Sequence, residues 1–380
     1  VKRILRVYLG CYFHKFSKIL FNNKKVKFIK IQHNAPLEVV DMGEMTPKER
    51  VLAALKREEV DRLPATSVTQ TGTVEFMEKA GAFWPDAHKH VDQMVALAMA
   101  PYKEAGLECV RVPFCLTVEA EALGVGIHWG TVDRQPSARE TPYKDAGEIK
   151  WDGFLEKNRV PVVIESVKRL KEEVGDELPV IAGFTGPVTL AGHLMDTEKL
   201  IMESITNPKN VTDFIDVAKE VLLEYTIALI DAGADVLVSL DPTASTDILM
   251  PTSFDSIALP ALKEIHESIK SNGAAVVLHI CGNVEPILSN MVETKADGLS
   301  IEHKVDMAKA REIVADKVAL VGNVSPVDHL LNGTPEVVEK ATIEAIEKGA
   351  DVIAPGCGIA PRTPIANIKA MVEAVKKYFA

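Results

Sequence analysis

From Met45 onward one pattern recurs: a short apolar run, a turn-rich stretch, then an amphipathic segment. Eight runs fit it: "LPATSVTQ" from Leu63, "CVRVPFCL" from Cys109, "PVIAGFTG" from Pro179, "DVLVSLDP" from Asp235, "AVVLHICG" from Ala275, "GLSIEHK" from Gly298, "VALVGNVS" from Val318 and "DVIAPGCG" from Asp351. Most are nearly continuously apolar, as strands buried on both faces of a parallel sheet must be. Helical patterns stand between them, such as "NVTDFIDVAKEVLLEYTIALIDAGA" before the fourth run and "TPEVVEKATIEAIEKGA" before the eighth. Strands alternating with helices imply crossover connections of one hand. Eight such units predict an α/β fold closed into a (β/α)8 TIM barrel, with an open doubly wound sheet as the alternative. No GxGxxG follows the first run and no GxxxxGK[ST] occurs, so dinucleotide and P-loop readings lose their main support.

The stretch "MTPKERVLAALKREEVDRLP" reads as the start of the barrel domain, residues 45–380. Thr46 is placed to cap a helix, Pro47 to occupy its first position and Glu49 to complete the capping box. Residues 1–44 are expected to be a basic extension, poorly ordered or the product of a misplaced start. They carry nine Lys and Arg against three Asp and Glu, so the rest carries 34 against 51, a net charge of −17. So acidic a body argues against nucleic acid as a partner, because phosphate binding needs clustered cations. No apolar run reaches the roughly 18 residues of a spanning helix. Five cysteines, an odd number without a visible disulfide framework, fit a reducing cytoplasm. Between the second and third runs, residues 116–179 look like an insertion, and "WGTVDRQPSARETPYKDAGEIKWDG" is polar enough for a loop or lid at a barrel mouth.

The ends of the runs differ from their bodies: they carry Gln70, Thr185, Asp241, His279, Cys281, Glu302, Asn323 and Cys357. In a (β/α)8 barrel these C-terminal ends converge on one mouth, where catalysis is placed. Side chains alternate along a strand, so in "VVLHICGN" His279 and Cys281 face one way and Ile280 the other. With Cys357 they form a His-Cys-Cys donor set suited to zinc, and without a CxxC knuckle it looks open rather than closed. Each member also has a plainer reading, a buried thiol or a hydrogen-bonded core histidine. Cys109 and Cys115 are read that way. Glu302 is either a fourth ligand or a structural acid, and Asp241, just before Pro242, either caps the next turn or meets a substrate.

These residues also carry a resemblance. "LHICGN", "LSIEHK", "LVGNVSP" and "APGCGIAPRTP", with "VTQTGTVEFMEKAGAFWPDAH" near the domain start, are similar to the methylcobalamin:coenzyme M methyltransferases, within the uroporphyrinogen decarboxylase-like superfamily. The likeness runs from about Met45 to the C-terminus and looks closer to the branch serving methanol than to that serving methylamines. It implies a zinc held by His279, Cys281 and Cys357, with Glu302 at a position that can ligate before substrate arrives. It further implies a methylated corrinoid (methylcobalamin), carried by a corrinoid protein, as methyl donor and coenzyme M as acceptor. Zinc would lower the thiol pKa from its usual range near 8.5, and the thiolate would take the methyl group and release cob(I)alamin. The sulfonate of coenzyme M needs donors, and a helix start after Cys357, with Gly358 and Arg362, is the expected anion site. Gln70, Asp241 and Asn323 are further candidates for substrate contact. The decarboxylases carry an Arg-rich "RQAGR"-like stretch where this chain reads "TQTGTVEF", so that alternative lacks its anion clamp. Methyl transfer to another thiol, such as homocysteine, is the other alternative.

Overall fold

Six of the eight predicted strands form a continuous parallel ladder. The computed structural model describes residues 43–380 and, before them, only a backbone hairpin of β1 (Ile19–Asn22) and β2 (Lys25–Phe28). The expected extension otherwise lies outside the described residues. Two short strands, β4 (Gly126–His128) and β5 (Ser137–Arg139), pair antiparallel on their own. The ladder runs β3 (Val110–Val112), β6 (Val180–Thr185), β7 (Val236–Leu240), β8 (Ala275–His279), β9 (Gly298–Ser300), β10 (Ala319–Val321).

The first and last predicted runs close the circle through single bridges rather than ladders. Ala65 bridges Ile353, and Val352 bridges Val321, each in parallel. Thr66 N donates to Ile353 O (2.9 Å), Ile353 N to Pro64 O (3.0 Å), and Glu108 N, just before β3, to Ala65 O (2.9 Å). The sheet is therefore a closed (β/α)8 barrel. Its outer layer includes the crossover helices Val160–Val174, Leu259–Ser271 and Pro335–Glu347, together with the C-terminal helix Ile365–Phe379.

Alternation divides the core in two. Val110, Val112, Ala182, Phe184, Val276, Leu278 and Leu320 pack outward under the helices. Cys109, Ile181, Val238, Val277, Val321 and Val352 fill the bore. The capped helix Pro47–Leu55 closes the floor, with Val51, Ala54 and Leu55 in the bore cluster. Its capping box forms as expected: Glu49 N donates to Thr46 Oγ1 (3.2 Å) and Thr46 N to Glu49 Oε2 (2.8 Å).

One carboxylate joins floor, first strand and second strand. Glu108, 3% exposed, pairs with the buried Arg50 of the floor helix and with Arg62 (2.7 and 2.9 Å), and accepts from Ala65 N (2.9 Å). Arg50 in turn holds Asp61 through two bonds, 2.6 and 2.7 Å. The Ala65 amide, beside a strand too short for a ladder, thus keeps a buried acceptor.

The stretch between strands two and three is more ordered than a lid. It contains β4, β5, the short helix Val118–Ala122 and the crossover helix Val160–Val174. The polar sequence looked loop-like because a two-stranded hairpin with both faces partly wet shows no apolar alternation.

Removing one partner of a buried ion pair leaves the others uncompensated. Glu108→Gln is expected to cost about 3–5 kcal/mol, read as a lowered midpoint in guanidinium unfolding followed by circular dichroism.

Candidate metal centre at the barrel mouth

The last inward position of β8 is His279, and the chain leaves the strand through Cys281. Ile280 packs outward in the helix-facing core, so the two ligand-type residues share the inner side as predicted. Cys357 follows the Val352–Pro355 bridges of the eighth strand. The three donor atoms lie within 4.8 Å of one another: His279 Nε2 is 3.2 Å from Cys281 Sγ, which is 3.3 Å from Cys357 Sγ.

The imidazole is held from behind. Its Nδ1 lies 3.0 Å from Ser300 Oγ and 3.2 Å from Ser300 O, on the neighbouring strand at the register position opposite His279. That contact leaves Nε2 facing the sulfurs, the second-sphere arrangement that orients metal-binding histidines. The two sulfurs stand within hydrogen-bond distance of each other. The hydrogen bond from Cys281 holds Cys357 well below the usual thiol range against the opposing effect of burial, with His279 and Gly358 N–H adding to it. The same bond, then burial, pushes Cys281 up. One nitrogen and two sulfur donors, half-buried on the sulfur side, suit a d¹⁰ ion such as zinc with a position left over.

Gly282 makes the turn after Cys281 feasible. Its φ of +81° favours glycine, and a Cβ there would overlap the Asp247 carboxylate and lie 2.7 Å from Ser245 Oγ. Gly282 N donates to Glu302 Oε2, so Glu302 stands beside the centre while its carboxylate is outside the three-atom cluster. The other oxygen lies 3.6 Å from His303 Nδ1.

The remaining candidates are spent mainly on holding the rim together. Gln70 accepts from Gly72 N (2.7 Å) and donates to Ile359 O, and its own carbonyl accepts from Ile359 N (3.0 Å). It thus ties the first strand to the loop that carries Cys357 and Gly358. Asn323 donates to Val305 O (2.9 Å) and Glu302 O (3.3 Å). Asp241, fully buried, accepts from Thr189 N and Oγ1 (2.7 Å each) and Val188 N (3.2 Å), so it caps the helix Pro187–Met195 rather than its own following turn. Burial pushes its carboxyl up to about 6 despite those three donors.

The expected anion site after Cys357 is corrected by the structure. No helix begins there; the next starts at Ile365. Arg362, 72% exposed, pairs with Asp133 in the turn between β4 and β5, at 2.7 and 3.0 Å. Thr185, also at a strand end, donates to the buried Glu119 (2.7 Å). Ser300 was missed by sequence reasoning, although its period-two spacing from Glu302 in "LSIEHK" marks it as inward-facing.

Fold and site together define a (β/α)8-barrel protein with a His-Cys-Cys donor set, able to hold a metal ion, at its C-terminal mouth. A family profile described as uroporphyrinogen decarboxylase (URO-D) matches residues 46–378. The methylcobamide:CoM methyltransferase MtaA of Methanosarcina barkeri is 43% identical over 343 residues, 89% of this chain and 100% of that protein. The methylcobamide:CoM methyltransferase MtbA of Methanosarcina acetivorans is 39% identical over 339 residues, 89% and 99%. A solved structure of a methyltransferase from Methanosarcina mazei superposes with a TM-score of 0.86 at 43% identity, covering 89% of this chain and all of that one. A B12-independent methionine synthase from Shewanella, at 16% identity and a TM-score of 0.56, shares the fold alone. The chain belongs to the uroporphyrinogen decarboxylase family and, within it, to the methylcobamide:CoM methyltransferases.

If Ser300 sets the imidazole, Ser300→Ala is expected to weaken Zn²⁺ binding by about 10-fold or more, measured by competition with a chromophoric chelator.

Proposed function

We propose that this chain transfers a methyl group from a methylated corrinoid, presented by a corrinoid protein, to the thiol of coenzyme M, in the branch serving methanol. The observation that carries the reading is the meeting of His279, Cys281 and Cys357 within 4.8 Å at the mouth of a barrel 43% identical to a methylcobamide:CoM methyltransferase. The methanol assignment is supported by the motifs "VTQTGTVEFMEKAGAFWPDAH" and "APGCGIAPRTP". A reducing cytoplasm is the setting that suits two free thiols at the site. No helix among the described residues is long and apolar enough to cross a membrane.

The three residues would hold one zinc ion, whose bound form supplies a Lewis-acid seat that lowers the pKa of an incoming thiol. Cys281 and Cys357 contribute two negative charges and His279 none, so the loaded seat is close to neutral and a substrate thiolate keeps its nucleophilicity. Ser300 keeps Nε2 aimed at the seat. Glu302, resting on Gly282 N–H beside the three donors, would be a displaceable fourth one. The floor helix closes the bore from below, leaving the mouth as the route for both substrates. The decarboxylase alternative is disfavoured at "TQTGTVEF", where Thr73 caps the helix Val74–Ala80 and no arginine is present.

The test mixes purified, zinc-loaded protein with methylcobalamin and coenzyme M. Methyl-coenzyme M should form while the corrinoid spectrum shifts to cob(I)alamin, with homocysteine a poor acceptor. Cys281→Ala and Cys357→Ala should each lower the rate about 10³-fold. Full transfer by metal-free Cys281→Ala protein would sink the mechanism.

A further inference from the structure

Resting on the methyl-transfer reading, we propose that Arg111, inside the barrel bore, binds the anionic head group of the acceptor thiol, a short alkanethiol bearing a sulfonate. Arg111 lies on β3 between two apolar residues and follows Cys109 on the inward face. It is 2% exposed, and no carboxylate among the described residues stands within ion-pair distance of it, the buried Glu119 acting on it only from further off. Its Nη1 donates to Pro113 O, and its Nε has no hydrogen-bond partner. Burying a cation this incompletely bonded is costly unless a counter-ion arrives.

The surroundings keep it charged and aimed. Burial brings its pKa down to about 10, so it stays protonated at neutral pH. Gly183 provides the room: a Cβ there would overlap Arg111 Nη2 and come 3.0 Å from Leu240 Cδ1. Leu240 is the register partner of His279. Gly183 itself is level with Val238 and Val277, one inward-facing position below His279. That rise is about 7 Å along the strands, and β8 stands two strands round from β6, so the guanidinium lies below the metal seat and to one side of it. A planar guanidinium with free N–H groups matches a sulfonate, as it does a carboxylate or phosphate. Arg362, tied to Asp133 on the outer rim, is not needed for this role.

The test compares two thiols, 2-mercaptoethanesulfonate and 2-mercaptoethanol, which differ in the anion, with methylcobalamin as donor and zinc-loaded protein. Arg111→Met should lower kcat/KM for the sulfonate thiol about 10- to 100-fold, mainly through KM. The rate with 2-mercaptoethanol should stay within about two-fold, and Arg111→Lys should recover part of the preference. Equal loss with both thiols, or an intact preference, overturns the assignment. Calorimetry with ethanesulfonate, which lacks the thiol, reads binding apart from turnover: wild type should bind it and Arg111→Met should not. Equal binding by both, or none by wild type, also overturns it. If wild type binds ethanesulfonate through Arg111 yet methylates neither thiol, the methyl-transfer reading fails and the anion site stands. Should Arg111→Met not fold, Gly183→Ala, which displaces the guanidinium, is read by the same two measurements and must show the same selective loss.

Discussion

The structure depends on closing a parallel sheet whose first and last strands are too short to zip. A parallel ladder left open at that seam would expose unpaired amides and carbonyls in an otherwise apolar interior, and buried backbone groups must find partners. Here the seam is closed by the Ala65–Ile353 bridge and by Glu108, which takes the Ala65 amide while holding Arg50 and Arg62. One buried acid thereby joins the floor helix, the first strand and the second. Because Glu108 is desolvated, its value lies in the completeness of its hydrogen bonding more than in its charge pairing.

Closure is also what makes a site. His279 and Cys281 leave β8, and Cys357 leaves the eighth strand, three strands further round. Only a ring brings their donor atoms within 4.8 Å. The rim is then fixed by groups that read as substrate contacts in the sequence: Gln70 clamps the Cys357 loop, Asn323 clamps the loop after β9, and Asp241 caps the helix behind β6. Polar residues at strand ends therefore serve two purposes, and most here secure the backbone so that a few can be held still for chemistry.

Much of this was legible beforehand. The eight apolar runs marked all eight strands, the box at Thr46 and Glu49 marked the floor helix, and the period-two spacing of His279 and Cys281 gave their shared face. The hairpin β4–β5 was not legible, because a half-wet pair of three-residue strands lacks alternation. The pair between Arg362 and Asp133 was not legible either, because 229 residues separate the two in sequence. Arg111 stood in plain view as the charged residue in "CVRVPFCL", but its meaning depends on whether that strand faces solvent or a bore.

The sequence alone determined the class of fold and the donor types that meet at the mouth, since these follow from local periodicity and side-chain chemistry. Tertiary structure decided which polar residues are free to act. That outcome depends on partners supplied by distant strands: Asp133 takes Arg362, Thr189 takes Asp241, Ile359 takes Gln70, and Gly183 leaves room for Arg111. Burial and pairing are properties of a closed three-dimensional neighbourhood, and no spacing along one chain encodes them directly.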